Sequence, residues 1–541
     1  MIIDTTKHIS AYEDPFKKIY FNNYLYLRKK FCTWLDRIGS KKNLDWWIST
    51  PASRNFNYSK LFHYICIVES IKILKKNNKI KKIIVENKDL EELINKNFNL
   101  NISRNTEKKK NINFLNNFSI IFKTFFFHSI IYFFCKLKHR KKLYRDKKFI
   151  LVDTFINSSE VETNRFYSNK FISVINSKKN ILLIPAFFMG MGLTKIFKII
   201  KDGSKNKKYL FREQYLNFYD IINSFLFIYR RNKLIRKHRK FNNVDYSKII
   251  NSEIKTNINL SSQILGLQNY YFFKNLHNSK IKIKKTINWF ENQPLDKGWN
   301  YGSRIFYPNS KSLGYQAVTY FPQYMCLNPT KEECLSKVVP ETILSIGAIY
   351  NATKKEFYNN IKVENAPALA YQYLYKKKNT NILKNNNKRI LIILSGFLDD
   401  DISLLKWIIK SNVHKKEHNI LIKEHPILKF EEIKKHFNFI PKNFNLSKKN
   451  FVDSVNESNF LICSGATSAV LELVVQGKYC IIPKLNPFDE VIFKRLKISN
   501  NFKVLDNPLK LNKSFNKPKI KKYKINNFFT KLTKKNIKIF L

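Results

Sequence analysis

The sequence predicts an α/β protein in which two Rossmann-like domains face each other across a cleft. Residues 389–507 alternate between short apolar runs and amphipathic segments, the pattern of strands that lead into helices. The same alternation occurs in the first 365 residues, where an aromatic, lysine-flanked insertion interrupts it. Polar clusters follow two of the apolar runs in the second half, and open parallel sheets bind ligands at such strand ends.

Composition excludes a disordered chain and points to an anionic partner. The 541 residues are 44% hydrophobic, which is sufficient for several packed cores. The 99 Lys and Arg residues against 40 Asp and Glu favour an anionic membrane or a nucleic acid. The abundance of Lys, Asn, Ile, Phe and Tyr is typical of AT-rich coding, so part of this charge belongs to solvated faces. Because no zinc-finger, basic-zipper or RNA-recognition pattern occurs, we expect no nucleic-acid partner.

Cysteine usage and the N-terminus indicate a cytoplasmic location. The seven cysteines are scattered without paired spacing, which is typical of reduced, buried thiols. The first residues lack a charged segment followed by an apolar one, so we expect no signal peptide.

The strands and helices of the first half are predicted from apolar runs and from the Pro, Gly and capping residues that bound them. The aromatic run 45–50 is read as a strand that Pro51 ends, and Asp89 is read as the N-cap of a helix. Gly190 and Gly192 allow a tight turn from a strand into a helix. We predict strands at residues 45–50, 80–86, 149–155, 180–188, 286–291, 314–320 and 342–349, and helices at 61–75, 89–96, 193–200, 215–240 and 295–306. Residues 363–375 are expected to carry the chain into the second domain.

The insertion at residues 108–148 predicts contact with a membrane. Its apolar core, 114–137, is rich in Phe and has lysines on both flanks, as in helices that lie in the membrane interface. A buried helical insertion is the alternative. Residues 114–137 are numerous enough to span a membrane, but placing Lys123 and His128 inside the bilayer would cost free energy.

The second half is more regular. We predict strands at 390–394, 420–423, 460–463, 479–483 and 502–505, and helices at 402–410, 430–437, 451–456 and 467–476. The domain boundaries are placed at 1–365 for the N-terminal domain and 366–507 for the C-terminal domain. The basic tail 508–541 is either a closing helix or a second membrane-contacting element.

Two strand-end clusters of the second half carry the chemistry. One is Lys423-Glu424-His425-Pro426; the other is Ser464-Gly465-Ala466-Thr467-Ser468, which opens into a helix containing Glu472. Backbone N–H groups at a helix start, with nearby hydroxyls and a His, can bind phosphate. A simple helix cap and a simple turn are the respective alternatives. Ser395-Gly396, after the first strand of this half, either forms a turn or lines the cleft.

These motifs resemble those of a known group of enzymes. Two facing α/β halves are the layout of GT-B glycosyltransferases, and the His-Pro and Ser/Thr clusters are similar to motifs of bacterial sialyltransferases and capsule-type transferases. The segments Trp47-Ile48-Ser49-Thr50-Pro51 and Trp289-Phe290-Glu291-Asn292-Gln293-Pro294 resemble bacterial O-antigen and capsule biosynthesis proteins. The acidic-acidic-Gly motif of sialyltransferases has no counterpart in this chain.

The resemblance implies transfer of a sugar from a nucleotide donor to a surface polysaccharide or lipid-linked glycan. A CMP-linked acidic sugar is favoured as donor, with no other cofactor, at the inner face of the cell membrane. The expected donor-binding residues are Lys423, His425, Pro426, Ser464, Gly465, Thr467, Ser468, Glu472, Ser395 and Gly396. His425 is also expected to be catalytic, by supplying a positive or hydrogen-bonding group to the donor phosphate. The alternatives are a CDP-glycerol-type transferase and a non-catalytic protein that binds membrane or nucleic acid.

The acceptor side is predicted from the first half. An acceptor hydroxyl needs a general base, for which Glu291 is the first candidate and Asp296 the second. The expected acceptor-binding residues are Ser49, Asn292, Arg304 and Gln316. No Asp-x-Asp follows a strand, and the run Asp399, Asp400 and Asp401 is read as a helix cap, so we predict no metal.

Overall fold

The computed structural model describes residues 1–39, 43–76, 80–104, 114–139, 147–155, 171, 180–187, 189–205, 209–375, 389–416, 418–465, 467–515 and 520–541. Its strands are β1 Ile2–Asp4, β2 Lys82–Val85, β3 Ile102–Arg104, β4 Lys148–Phe155, β5 Ile181–Ala186, β6 Lys240–Phe241, β7 Val244–Asp245, β8 Lys282–Trp289, β9 Lys311–Gln316, β10 Thr342–Ser345, β11 Lys362–Asn365, β12 Arg389–Ile393, β13 Asn419–Lys423, β14 Phe444–Leu446, β15 Phe460–Cys463, β16 Cys480–Pro483 and β17 Phe502–Leu505.

The helices in the described residues are α1 Phe16–Ile38, α2 Leu44–Trp47, α3 Thr50–Ser53, α4 Leu61–Lys75, α5 Lys88–Phe98, α6 Phe114–Lys138, α7 Leu193–Lys205, α8 Phe218–Phe225, α9 Phe227–Arg230, α10 Ser247–Lys255, α11 Leu260–Asn278, α12 Pro294–Phe306, α13 Lys331–Leu335, α14 Asn351–Lys354, α15 Leu398–Lys410, α16 Phe430–Lys434, α17 Phe451–Asn456, α18 Ala469–Val475, α19 Val491–Arg495 and α20 Ile525–Phe528.

The strands confirm the predicted α/β class with Rossmann-like parallel sheets. The central sheet of the first half has the order β11-β10-β9-β8-β4-β5, and the sheet of the second half has the order β14-β13-β12-β15-β16-β17. Every pairing within both sheets is parallel. Parallel strands require crossover connections, and the helices between them supply these. A third, smaller parallel sheet, β1-β2-β3, lies at the N-terminus.

The strand predicted at residues 45–50 is wrong. This segment forms α2 and the start of α3 instead. The side chain of Asn43 accepts a hydrogen bond from the backbone N–H of Asp45 and caps α2. Pro51 lies in the first turn of α3, where its missing N–H is tolerated, so it begins a helix rather than ending a strand. The edge beside β2 is occupied by β1, which the sequence analysis missed.

Other boundaries differ for local reasons. The helix after β2 is capped by Asn87, whose side chain accepts from Leu90 N, and not by Asp89. The single helix predicted at 215–240 is divided into α8, α9 and short turns. β11 lies inside the segment expected to be a connection, and β14 is an additional edge strand of the second half.

The C-terminal tail returns to the first half. Thr530 N donates to Ile346 O at 2.7 Å, and Lys285 Nζ donates to Ile539 O at 2.9 Å. Phe528, Phe529 and Phe540 are buried in this contact, so these three aromatic side chains face protein rather than solvent or lipid.

The Phe-rich insertion forms the long helix α6. Residues 108–113 and 140–146, which include most of its flanking lysines, lie outside the described residues. Within the described part of the chain, one helix, at residues 117–138, is long and apolar enough to cross a membrane by length and composition, and 39% of its most apolar window is buried against the protein.

Candidate functional site

A cavity of about 630 Å³ lies where the small N-terminal sheet meets the second half. One wall follows the carboxyl ends of β1 and β2, and the opposite wall follows the carboxyl ends of β12 and β16. Its polar lining comprises Thr5, Thr6, Lys7, His8, Arg54, Asn57, Ser59, Lys60, His63, Glu86, Gln323, Asp399, Asp400 and Asn486. Concave sites with converging polar groups at the carboxyl ends of parallel strands are the usual ligand sites of α/β proteins.

A neutral histidine faces this cavity from α4. The Nδ1 atom of His63 lies 2.7 Å from the Tyr20 hydroxyl. Burial, aided by the positive charge of Lys60, lowers the pKa of His63 to about 4. The imidazole is therefore neutral at physiological pH, and the contact with Tyr20 fixes the orientation of its ring.

The carboxylate beside it stays ionised. Burial disfavours the charge of Glu86, but the Lys60 ammonium at 2.6 Å and a hydrogen bond from the Tyr64 hydroxyl lower its pKa overall. The N-terminal wall therefore combines a neutral ring, a carboxylate and an ammonium within one small volume.

The N-terminal segment is tied to the second half by a second histidine. His8 Nε2 lies 3.4 Å from Asp400 Oδ1, and His8 Nδ1 lies 2.8 Å from Ser10 Oγ and 3.1 Å from Ser403 Oγ. Asn486 Nδ2 donates to the same Asp400 oxygen at 3.0 Å. These contacts close one side of the cavity and fix the two halves against each other.

Further contacts hold the halves at this spacing. Arg495 Nη1 lies 2.8 Å from Glu356 Oε1, which joins the second half to the first. The aromatic rings of Phe56, Tyr324 and Phe397 also meet across the boundary, with centroids 4.8 and 6.2 Å apart for successive pairs.

The structure brings Ser395 and His425 next to Gly396, which lines the cavity. Asp401 Oδ1 accepts from Ser395 N at 2.7 Å and Asp401 Oδ2 from Gly396 N at 3.0 Å, so this carboxylate fixes the loop after β12. Gly396 has φ +85°, and a Cβ there would lie 2.6 Å from Cγ of the His425 ring. Only glycine fits this position, because it adopts the left-handed conformation freely and leaves room for the imidazole.

The Gly396→Ala variant should lose about 1–3 kcal/mol of stability, because it combines an unfavourable φ with a clash against His425. Thermal unfolding measures the loss. Gly190→Ala is the matched control, since a Cβ there would meet nothing within 4 Å. Adding His425→Ala should restore part of the stability; a double variant no more stable than Gly396→Ala would show that the ring is not the obstacle.

The rest of the His-Pro cluster forms a tight turn. His425 O accepts from Leu428 N at 3.2 Å, and Pro426 is exposed at the turn. The Lys423 ammonium donates to the backbone carbonyls of Ser447 and Lys449, in the loop after β14. His425 thus lies next to the cavity wall through Gly396, whereas Lys423 fastens a neighbouring loop.

The Ser/Thr cluster packs against the loop that contains Asn486 and Asp489. A Cβ on Gly465 would collide with the carboxylate of Asp489, whose Oδ2 accepts from the backbone N–H groups of Leu485 and Asn486 at 2.8 Å each. Burial raises the pKa of Asp489 to about 8, and Oδ1, which faces Gly465, has no hydrogen-bond partner among the described residues. The loop after β15 is therefore packed closely against the loop that lines the cavity.

The described residues of the Ser/Thr cluster are buried, except Ser468, which is half-buried. Ser464 and Thr467 are buried, and Thr467 Oγ1 accepts from Ala469 N at 3.3 Å. The helix that follows begins at Ala469 and has only seven residues, two fewer at its start than predicted. Glu472 on this helix is buried, which raises its pKa, and accepts from the Tyr373 hydroxyl. Glu472 therefore fastens α18 to the segment Leu369–Tyr375, which leads into the second half.

The predicted base, Glu291, lies outside the cavity lining. Its Oε1 accepts from Trp289 Nε1 at 2.8 Å, and burial raises its pKa. Asp296 accepts from Glu291 N at 3.1 Å and Gln293 N at 3.0 Å, and burial raises its pKa as well. Asp296 thus caps α12.

None of the four predicted acceptor residues belongs to the cavity lining; Ser49, Asn292 and Gln316 are buried, and Arg304 is half-buried. Ser49 precedes α3 as its N-cap residue, and Gln316 donates to Leu327 O at 2.8 Å. Arg304 donates to Val339 O at 3.0 Å. Asn292 donates to Cys326 O at 2.9 Å and to Glu333.

Glu333 is the centre of a buried ionic cluster. It pairs with Lys297 at 2.9 Å and with Arg54, and these three side chains are at most 2% exposed. Burial opposes ionisation, but the two cations lower the pKa of Glu333 to about 2. Arg54 also lines the cavity, so this cluster supports one of its walls.

The sequence analysis missed the cavity residues His8, His63, Glu86, Asp400 and Asn486. Glu86 could have been found, because it is the last residue of a predicted strand. Asp400 was noticed only as part of an acidic run interpreted as a helix cap, and the other three come from segments with no signal of their own. In the described residues, no group of three or more His, Cys, Asp or Glu side chains is arranged to hold a metal ion.

Comparison with known proteins gives only distant similarities. No family model matches the chain, and no curated protein matches it. Similar solved structures include MurG from Acinetobacter baumannii, with TM-score 0.34, 11% identity and coverage of 68% of this chain and 90% of that one. They also include the glycosyltransferase SnogD from Streptomyces nogalater, with TM-score 0.32, 8% identity and coverage of 68% and 88%.

A third is the UDP-GlcNAc 2-epimerase from Neisseria meningitidis bound to UDP-GlcNAc, with TM-score 0.35, 11% identity and coverage of 63% of this chain and 85% of that one. Similarity at this level carries no argument about the activity of the present chain.

Proposed function

We propose that this protein is a glycosyltransferase of the GT-B type that transfers a sugar from a nucleotide donor. One observation carries the proposal: the 630 Å³ cavity lies between the carboxyl ends of two parallel α/β sheets. In such sheets the loops after the strands bind nucleotides and phosphates. Two facing edges provide one surface for the donor and another for the acceptor.

The donor side is the edge of the second half. The loop Ser395-Gly396, the His425 ring and the loop from Ser464 to Ser468 follow three adjacent strands of the order β13-β12-β15. The His425 imidazole and the N–H and hydroxyl groups of the loop after β15 can donate to the phosphates of the leaving nucleotide, whose negative charge grows in the transition state. The N–H groups of Ser395 and Gly396 donate to Asp401 and fix the shape of the loop after β12. We assign the charge stabilisation to these groups without a metal. Lys423 and Glu472 do not contact the donor in this proposal. Lys423 holds the loop at Lys449, and Glu472 holds the segment that contains Tyr373.

The acceptor side is the N-terminal wall, and His63 is its general base. A neutral imidazole whose Nδ1–H is donated to the Tyr20 hydroxyl can accept the proton of an acceptor hydroxyl at Nε2. Tyr20 positions the ring. In this proposal His63 takes the role of general base that the sequence assigned to Glu291. Glu291 accepts a hydrogen bond from Trp289 and lies outside the cavity lining.

The finer assignment follows from the His-Pro and Ser/Thr motifs. We propose a CMP-linked acidic sugar as donor and a surface polysaccharide or lipid-linked glycan as acceptor, at the cytoplasmic face of the membrane. The single phosphate of a CMP-sugar matches the assigned donor side, which contributes one histidine, His425, and neutral hydroxyls. The cationic side chains of the cavity, Lys7, Arg54 and Lys60, come from the first half.

Thermal unfolding with CMP, CDP, UDP and GDP tests the proposal. A nucleotide at about one hundred times its Kd adds roughly 2.7 kcal/mol of stability. At about 2–4 °C per kcal/mol for a domain of about 150–250 residues, Tm should rise by roughly 5–10 °C. The shift should occur with CMP and disappear in His425→Ala, whereas the exposed His436→Ala control should keep it.

Each other outcome is decisive. A shift with UDP or GDP only would retain the transferase and replace the donor, and a shift confined to CDP would favour the glycerol-phosphate type of transfer. Absence of a shift with all four nucleotides would contradict the proposed function.

A further inference from the structure

A continuous apolar surface covers one side of the first half. On α6 it comprises an exposed stripe of five side chains spaced by four, four, seven and four residues: Phe118, Phe122, Phe126, Phe133 and Leu137. Residues at this spacing lie on one face of a helix. Leu137 is 82% exposed and Phe118 59%, which is unusual for side chains of this size.

A second segment extends the same surface. From the start of α8 to the end of α9, five large side chains are exposed: Phe218, Tyr219, Ile222, Leu226 and Tyr229. The rings of Phe133 and Phe218 are 5.3 Å apart, so the two segments meet. We call these ten side chains the apolar face. With Ile120 they account for 11 of the 25 exposed large apolar side chains of the described residues, so exposure is concentrated here rather than scattered.

The surroundings of the apolar face are basic. In residues 114–139, 189–205 and 209–240, the exposed charged side chains include Lys123, Lys138, Lys195, Lys198, Lys201, Lys233, Arg236, Lys237 and Lys240. Asp202 is the exposed acidic residue of these described segments, because Glu213 and Asp220 are buried. An apolar centre with a basic rim complements the acyl chains and anionic headgroups of a lipid surface.

The opposite face of α6 shows how the helix is held. Thr124, His128, Ser129 and Cys135 are buried against the protein, and Lys136 Nζ donates to Gln214 O at 2.9 Å. If α6 spanned a bilayer, these polar side chains would lose their contacts with the rest of the protein. The packing therefore favours a helix that lies flat, with one face in the protein and the other free.

We infer that the apolar face docks the protein onto an anionic lipid bilayer as a monotopic surface, with α6 parallel to the membrane plane. The phenyl rings of α6 and the side chains of α8 and α9 enter the headgroup boundary. The lysines and arginines around them bind lipid phosphates. This inference rests on surface geometry and does not depend on the proposed activity.

Vesicle flotation tests the inference with the full-length protein. Vesicles of phosphatidylcholine alone are compared with vesicles that contain phosphatidylglycerol as well. The stripe variant Phe122→Ser, Phe126→Ser, Phe133→Ser should lower partitioning into both vesicle types by at least about tenfold. The control is Phe439→Ser, which removes a ring that is 62% exposed in the second half and should leave partitioning unchanged.

A basic-rim variant separates the two contributions. Lys233→Gln, Arg236→Gln, Lys237→Gln should weaken partitioning only into the anionic vesicles, and high salt should reduce the wild-type protein to the same level. Thermal unfolding of all variants verifies that the fold is retained, since every substituted side chain is exposed.

Three results would overturn the inference. These are wild-type protein that does not float with anionic vesicles, a stripe variant that partitions like the Phe439→Ser control, and a wild-type dimer that the stripe variant converts into a monomer without any vesicle binding. The last result would assign the apolar face to a second copy of the chain. Nucleotide-induced thermal shifts report on the proposed function separately, so either hypothesis can fail alone.

Discussion

The His63→Ala variant is expected to lower kcat by about 100-fold to 10,000-fold, the contribution of a positioned general base. His63 lines the cavity, is held by Tyr20 at 2.7 Å and is neutral because burial lowers its pKa to about 4. Turnover of the sugar nucleotide whose nucleotide gives the thermal shift measures the effect. That shift itself should persist in the variant, since the donor side is intact.

Three further variants make this prediction specific. His277→Ala removes an exposed histidine of α11 and should leave kcat unchanged. Tyr20→Phe should lower kcat less than His63→Ala and leave KM for the donor unaltered, because Tyr20 only positions the ring. Loss of kcat in Glu291→Gln together with normal turnover in His63→Ala would return the role of base to Glu291.

The pH profile gives an independent readout. A base must be unprotonated, so the wild-type rate should be lost as the pH falls through about 4 and should show no step near the ordinary histidine value of 6.5. A clear loss of rate around pH 6.5 would be inconsistent with His63 as the titrating base.

The Glu333→Gln variant is expected to lose about 3–5 kcal/mol of stability, as when one partner of a buried ion pair is removed. Arg54 and Lys297 would remain buried without the carboxylate that pairs with both of them. Urea unfolding of the full chain measures the loss as a lower midpoint. Glu431→Gln breaks a solvent-exposed pair with Lys434 and, as the matched control, should change stability by less than about 1 kcal/mol.

The same cluster sets a pH dependence with a defined sign. The folded-state pKa of Glu333, about 2, lies below its ordinary value of 4.5. Its contribution is therefore fully present above about pH 4.5 and is lost as the pH falls towards 2. The stability difference between wild type and Glu333→Gln should narrow over this window. A difference that stays constant, or an Arg54→Met variant as stable as wild type, would contradict the importance of the cluster.

The sequence by itself determined the architecture of the second half. β12, β13, β15, β16 and β17 lie within one residue of their predicted bounds. Strands covered on both faces appear as continuous apolar runs between polar segments, so local information is sufficient. The same holds for α6, whose 25 residues lack any helix breaker. The approach of Ser395, Gly396 and His425 also followed from strand ends, because adjacent parallel strands end at one edge.

Only the tertiary structure decided which strand completes the small sheet and what residues 44–53 form. The aromatic run at 45–50 suits a strand locally, but Asn43 and Pro51 start helices there, and β1 takes the place beside β2 from about 80 residues away in sequence. A short apolar run does not distinguish strand from helix, so its packing partner settles the choice.

The candidate site depended on tertiary structure for the same reason. His8, His63 and Asp400 come from three distant segments; His8 and His63 have no local signal, and the acidic run that contains Asp400 indicated only a helix cap. Glu291 was correctly expected near a strand end, but the hydrogen bond from Trp289 holds it outside the cavity lining. Periodicity and capping are encoded between residues a few positions apart. The convergence of side chains hundreds of residues apart depends on how the sheets pack, and that is fixed only when the whole chain has folded.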